Sequence, residues 1–351
     1  MKKIFAILLA LSLIPICSFG DSFESWNIGL GNDDVVGIAM VSDTDGWALL
    51  HSSNMYHWDG QEWTRYEGPV ALTYAKGSAD GKGSPYGLEY YDPTHIYNYW
   101  VGLHMYDGTS WIEFEPPPPF GIDDLKVINP NSIWGFGDYY DTCYWNGTEW
   151  IVYQDTPGFG ADYIYCIGFG SAEEGWAGGT MGAMAHFYGG AWHAYGPITT
   201  GWLSNADFAN NSYGVMDGPN VLMTYYNSTW DAGGYLPNIF TDCYAINDEY
   251  FALVDENTQT IFILHYDTYF RGYYTGGPPL YCVHATSPHS IWAGGENGYV
   301  CHWVWSDEDI QPTSLGEIKA QFPPESGTSS SITPPKTKND WNRLCPQLEF
   351  E

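Results

Sequence analysis

The stretch SAEEGWAGGTMGAMAHFYGGAW, residues 171–192, decides the fold. Shifted by 116 residues without a gap, this region lays Tyr165, Cys166, Ser171, Trp176, Ala177, Gly178, Gly179, Gly182 and His186 on Tyr281, Cys282, Ser287, Trp292, Ala293, Gly294, Gly295, Gly298 and His302. Self-similarity at a fixed offset marks a repeat architecture and sets the frame in which every local motif sits. An aromatic anchor recurs at Trp47, Tyr97, Trp134, Trp176, Tyr213, Phe251 and Trp292, a mean spacing of about 41 residues, the length of one four-stranded blade. The spacing predicts an all-β fold: a seven-bladed β-propeller of four-stranded antiparallel blades.

Within a unit the order is an inner strand (IYCIGF), a polar turn (SAEEG), a second strand starting at the anchor, a Gly-rich turn, a third strand (MAHFY), a hairpin and an outer strand (AWHAY). The hairpins are DGQEW, DGTSW, NGTEW, GGAW, NSTW and DTYF, in which Asp-Gly and Asn-Gly supply the positive φ of tight turns. The last unit lacks its hairpin and outer aromatic strand after VCHWVW, while SFESWNIGL, residues 22–30, precedes the first inner strand VVGIAM. Trp26 is therefore expected in the outer strand of the last blade, so that the N-terminal strand closes the ring and covers a sheet edge. Trp26, Trp47, Trp134, Trp176 and Trp292 are the expected structural anchors.

Residues 1–20 carry two lysines, an apolar run and small residues at Ser18 and Gly20, the pattern of a secretory signal. The expected domains are a signal at 1–20, the propeller at 21–310 and a Pro/Ser/Thr-rich tail at 311–351 with a short helix at 314–322. Pro15 and Ile16 before Cys17 argue against a lipid anchor. The expected location is secreted, or periplasmic to outer cell surface. The whole chain has a net charge of -31, and loss of Lys2 and Lys3 leaves 9 basic against 42 acidic residues, a net charge of -33. Nucleic acid is excluded as a partner because phosphate binding needs clustered Lys and Arg. No segment outside 1–20 has the run of apolar residues that membrane insertion needs. Aromatic content of 18% supports a packed core rather than an acidic disordered chain.

Cys166, Cys243 and Cys282 occupy similar inner-strand positions in different blades, too far apart for disulfides, and are expected as buried thiols. His104, His186 and His302 fall at one point of the third strand, and as repeat residues they are held apart by the ring. No metal or cofactor is expected. No Ser-centred elbow, phosphate loop or HExxH string is present, and no catalytic residue is assigned.

The hairpins with DGTSW loosely resemble the Asp box of sialidase-like propellers, although Arg65, Arg271 and Arg343 are placed where they cannot gather at one carboxylate. The fuller repeat, W-A-G-G followed by Gly, His and a Gly turn with Trp, resembles the repeats of bacterial secreted seven-bladed propellers of the photosystem II assembly factor type. That resemblance implies a non-catalytic scaffold contacting protein partners, and it transfers no functional residue.

The links from outer to next inner strand are irregular and share one face with the Gly-rich turns, and variation on a rigid frame is where binding residues concentrate. The longest link holds Tyr74, Lys76, Lys82 and Tyr86, the expected ligand contacts. Two classes of function remain: a monomeric binding or scaffold propeller taking a protein or glycan partner, and a polysaccharide-active enzyme, a lyase or hydrolase, using carboxylates and aromatics on one propeller face.

Overall fold

The computed structural model describes residues 22–305 apart from 30, 68–86, 100–101, 138–139, 161–162, 233–237 and 266–268. The expected signal at 1–20, the tail at 311–351 and the helix at 314–322 lie outside the described residues. The chain divides into compact units at 1–313 and 314–351, and every described residue belongs to the first.

Seven four-stranded antiparallel sheets are present, and each of the first six is built from four consecutive strands. Their innermost strands are Val35–Ser42, Gly87–Asp92, Asp124–Asn129, Ile164–Ser171, Asn205–Asn210, Phe240–Ala245 and Leu280–Ser287, hereafter blades 1 to 7. Each packs on the next and the last packs on the first, so the sheets close into a ring. In blade 7 the outermost strand is Ser22–Asn27, which pairs antiparallel with Tyr299–Val304 and puts Trp26 opposite Val300. Trp26 stacks on Trp292 at 5.5 Å and meets Trp58 of blade 1 at 4.9 Å. The N-terminal strand thus closes the ring and contributes to the core between blades 7 and 1.

The turn after each innermost strand is held the same way in all seven blades. Ser42, Asp92, Asn129, Ser171, Asn210, Asn247 and Ser287 each accept the backbone N–H two residues on. Such side chains mimic a backbone turn, which explains the polar residues at these positions. The hairpins pack on these turns: a Cβ at Gly60, whose φ is +89°, would lie 2.9 Å from Thr44. First turns and hairpins therefore share one face, and the opposite face carries the Gly-rich turns and the links between blades.

Two expectations about register need correction. Trp47, Tyr97, Trp134, Trp176 and Trp292 lie at one level, opposite Ala39, Glu89, Lys126, Gly168 and His284. Tyr213 instead lies opposite Asn210 and Phe251 opposite Ala245, and the residues at the anchor level are Val215 and Ala252. The volume lost at Val215 is refilled from both sides, because Tyr213 of blade 5 and Phe251 of blade 6 meet edge to face at 4.7 Å in the core between those blades.

The histidines shift likewise. His57, His186 and His302 face Trp47, Trp176 and Trp292 across the strand pair, and the last two stack on their Trp at 4.0 Å. His104 lies opposite Asn98, one residue off that level, so it points to the other side of its sheet.

Candidate binding face and polar axis

The innermost strands bring one residue per blade to the level of the anchors: Ala39, Glu89, Lys126, Gly168, Asp207, Tyr244 and His284. This layer surrounds the axis. Lys126 places its Nζ 2.6 Å from Asp207 Oδ1 and 3.3 Å from Glu89 Oε1. The bond to Asp207 skips blade 4, whose residue at this level is Gly168 and has no side chain to obstruct it. A lysine held between two carboxylates is satisfied as an ion pair and as a donor, the condition for tolerating charge in a largely enclosed site.

The acceptors of this axis are spent on the backbone of the next blade. Val127 N–H donates to Glu89 at 3.3 Å, Ile167 to Asp124 at 3.1 Å, Ala245 to Asp207 at 2.7 Å and Val283 to Asp242 at 2.8 Å. Across the closing junction Met40 N–H donates to His284 Nδ1 at 3.4 Å. Five of the seven junctions thus carry a side-chain clamp near the axis, and at a sixth the Cys166 thiol reaches the Leu203 carbonyl at 3.5 Å.

Burial raises three of these acids. It pushes Asp124 up to about 7, against the opposing Ile167 amide, and raises Glu89 and Asp242 as well. Asp217, wholly buried beside this layer, is also pushed up to about 7, although the Asn205 amide donates to it at 2.6 Å. His284 is driven down to about 3 by burial and by the charge of Lys126, so it is neutral at neutral pH. For Lys126 burial works against the charged form, but Asp207 and Glu89 outweigh it and hold the ammonium above its ordinary range.

The Trp–His stacks have a structural explanation of the same kind. His57 meets Asp45 at 2.8 Å, His186 meets Glu174 at 3.3 Å and His302 meets Ser290 at 2.8 Å, each partner standing two residues before the Trp that the histidine faces. Ser290 Oγ also donates to Asp43 of blade 1 at 2.6 Å, where Thr286 Oγ1 donates at 2.5 Å. Burial would raise Asp43, but these two donors and His302 prevail and hold it below the usual carboxylate range. Although Ser, His and Asp meet here, the acid binds the serine and not the far ring nitrogen of the histidine, so the set lacks the order of a nucleophile triad.

Cys143, Cys166, Cys243, Cys282 and Cys301 are buried free thiols. Cys166 and Cys282 share a level, opposite Gly178 and Gly294, and burial raises both thiols well above their ordinary value. Cys243, opposite Leu253, is one residue out of that register, and its thiol turns back toward Asp217 of blade 5. Among the described residues no group of three or more His, Cys, Asp and Glu side chains could hold a metal ion.

On the face of the links lies a feature the sequence did not flag as a unit. Tyr163 stands just before the innermost strand of blade 4, Tyr165 is the second residue of that strand, and Trp202 precedes the innermost strand of blade 5. Their ring centroids follow at 6.4 and 5.7 Å with planes tilted by 33° and 25°. They are 42%, 39% and 37% exposed, and Met181, in the adjoining Gly-rich turn, is 52% exposed. A bulge between Ile164 and Cys166 releases Tyr165 from the ladder, the kind of irregularity that re-aims a side chain. Tyr165 was visible in sequence only as a repeat residue matching Tyr281, and Trp202 only as part of an irregular link. The expected contacts Tyr74, Lys76, Lys82 and Tyr86 lie outside the described residues.

Ring, clamps and blade count define the class: a seven-bladed β-propeller with a self-paired polar axis. No protein-family model matches the sequence, and no curated protein does. Among solved structures the chain is similar to YCF48 bound to D1 peptide, with a TM-score of 0.59 at 14% identity over 81% of this chain and 97% of that one. It is similar to virginiamycin B lyase from Staphylococcus aureus, with a TM-score of 0.64 at 12% identity over 82% of this chain and 100% of that one. It is also similar to the WD40 β-propeller domain of Doa1, with a TM-score of 0.63 at 9% identity over 82% and 98% of the two chains. At these identities the likeness is one of fold, on which function is grafted separately.

Proposed function

We propose that the protein is an exported, non-catalytic β-propeller that acts as a monomeric binding or scaffold module at the cell exterior, meeting a protein or glycan partner on the face of the links. One observation carries this reading: the exposed side chains Tyr163, Tyr165, Met181 and Trp202 gather on that face, whereas the carboxylates Glu89, Asp124, Asp207 and Asp242 of the axis are committed to neighbouring backbone amides. Contiguous exposed apolar groups on a rigid frame mark interaction sites. The signal-like residues 1–20 and the acidic composition support export. A similar fold, YCF48, has been solved with a bound peptide, which supports a protein partner. Residues 68–86 fall in sequence between an outermost and an innermost strand, and Tyr74, Lys76, Lys82 and Tyr86 are proposed as a second contact on sequence grounds.

The test pairs a glycan array with a reducing-sugar assay on soluble plant, bacterial and algal polysaccharides. No release of reducing ends or unsaturated products is expected, and turnover of any polysaccharide would replace the module with the enzyme reading.

A further inference from the structure

Within the patch, Met181 has a left-handed backbone with φ of 53°. The matching residue of blade 7, 116 positions on, is Asn297 with φ of 59°. Asn adopts this region readily and Met does not, so blade 4 keeps a sterically unfavourable residue where a tolerant one serves its repeat partner. Internal packing offers no compensation, because Met181 is the most exposed of the four patch side chains. Strain retained at an exposed apolar side chain points to a contact made by that side chain.

The frame beneath the patch is fixed. Tyr163 N–H donates to Thr180 Oγ1 and Thr180 N–H returns to the Tyr163 carbonyl, both at 3.2 Å. Leu203 N–H, next to Trp202, donates to the Gly179 carbonyl at 3.0 Å. The turn carrying Met181 is thus pinned between the segments carrying Tyr163 and Trp202, so little ordering remains to be done on binding.

We propose that this patch docks a short, extended, positively charged peptide segment of a protein partner, an inference that rests on the binding-module reading above and gives its partner a chemistry. Charge selects the occupant. The chain has a net charge of -31. Among the described side chains the Lys and Arg cations are Arg65, beside Glu67 at 3.5 Å, and Lys126, enclosed at the axis. An anionic ligand meets repulsion, a neutral sugar gains nothing from the field, and a cation gains both the field and the ring faces of Tyr and Trp. Size selects a peptide. The two ring steps reach at most about 12 Å end to end, the length of about four residues of extended chain, too small for a domain-sized interface.

The experiment uses the full chain and three probes in fluorescence anisotropy: a fluorescent peptide of alternating Lys and Pro, the same peptide with Glu for Lys, and labelled cellohexaose. Expected are binding of the Lys peptide alone and a loss of about tenfold or more between about 50 and about 500 mM salt. The double variant Tyr165→Ala/Trp202→Ala should lose about tenfold or more. Met181→Asn, which keeps the turn, should lose several-fold, and Tyr188→Ala, exposed on the hairpin face, should bind as the parent does. Thermal unfolding reports whether each variant is folded, and Met181→Asn decides the matter if the double variant is not. Failure of the Lys peptide to bind, equal binding of the Glu peptide, or an affinity unchanged by both patch variants would overturn the inference. Cellohexaose binding that the patch variants abolish, with no Lys-peptide binding, would overturn it too, while leaving the module reading in place.

Discussion

Asp217 offers the sharpest test of the buried polar network. It is wholly enclosed, takes the Asn205 amide at 2.6 Å on one oxygen and turns the other toward the weakly polar Cys243 thiol. Burial pushes its carboxyl from 3.8 to about 7. An acid whose folded value exceeds its unfolded one binds more protons when folded, so its contribution to stability is present below pH 3.8 and lost as the pH rises through about 7. At about 1.4 kcal/mol per unit, the ionised form costs the fold about 1.5 kcal/mol at pH 5 and about 4 kcal/mol at pH 8. Asp217→Asn keeps the acceptor for Asn205 and removes the titration. Measured by urea unfolding, the variant should gain about 2.5 kcal/mol more over the parent at pH 8 than at pH 5. The parent should lose stability over that interval while the variant's curve is flatter. Parallel curves for parent and variant, or a variant destabilised equally at both pH values, would refute the assignment of a strained buried carboxyl.

Lys126→Met leaves Glu89 and Asp207 without their counterion and should cost about 3 kcal/mol by the same unfolding assay; a neutral effect would mean that the axis does not depend on the ion pair. Trp26→Ala, at a half-buried site, should cost about 2 kcal/mol and expose the edge of Tyr299–Val304 to hydrogen exchange, and unchanged protection there would contradict ring closure by the N-terminal strand. Trp47, Trp134, Trp176 and Trp292 are buried anchors whose replacement by Ala should each cost about 3–5 kcal/mol without selectively removing ligand binding; a variant that loses binding at parental stability would place that Trp in a site. Met181→Asn should raise stability by up to about 1 kcal/mol, since Asn tolerates the left-handed backbone, and a loss of stability would show that the Met181 side chain is held by packing.

The ring was legible in the sequence because its frame is made of the same residue types at the same places. Gly179 and Gly295, Trp176 and Trp292, and Ser171 and Ser287 do identical jobs, so an offset of 116 residues reveals them. The missing outer strand of the last blade was legible for the same reason, as a gap in a metered pattern. Register was less so. Counting aromatics placed Tyr213 and Phe251 with the Trp anchors and His104 with the repeat histidines, and passed over His57. In a strand, however, a one-residue offset sends a side chain to the opposite face, and spacing between aromatics does not measure that offset. The axis was not legible at all, because its layer is built from seven different residue types, Ala39, Glu89, Lys126, Gly168, Asp207, Tyr244 and His284, and a search for sameness passes over them. The available signal was a charge flanked on both sides by apolar residues, as in DLKVIN and NADFAN. The aromatic patch escaped for a different cause: Tyr165 and Trp202 lie far apart in sequence and meet only when blade 4 packs on blade 5.

Strongly shifted carboxyls often mark catalytic sites, so Asp124 and Asp217, both pushed up to about 7, bear on the enzyme reading. A general acid or base must reach the proton it transfers. Asp217 has no exposed surface. Asp124 accepts the amides of Ile167 and Leu125, at 3.1 and 2.8 Å, and the Tyr99 hydroxyl at 3.3 Å. A substrate hydroxyl at Asp124 would displace an amide that joins blade 3 to blade 4 and leave it without a partner, at a cost of about 1–3 kcal/mol before any chemistry. The same shift that elsewhere tunes a catalyst is here accounted for by burial of carboxyls whose oxygens tie adjacent blades together. The perturbed axis therefore argues for a stiff ring, and a stiff ring is what the proposed binding face of links and turns would require.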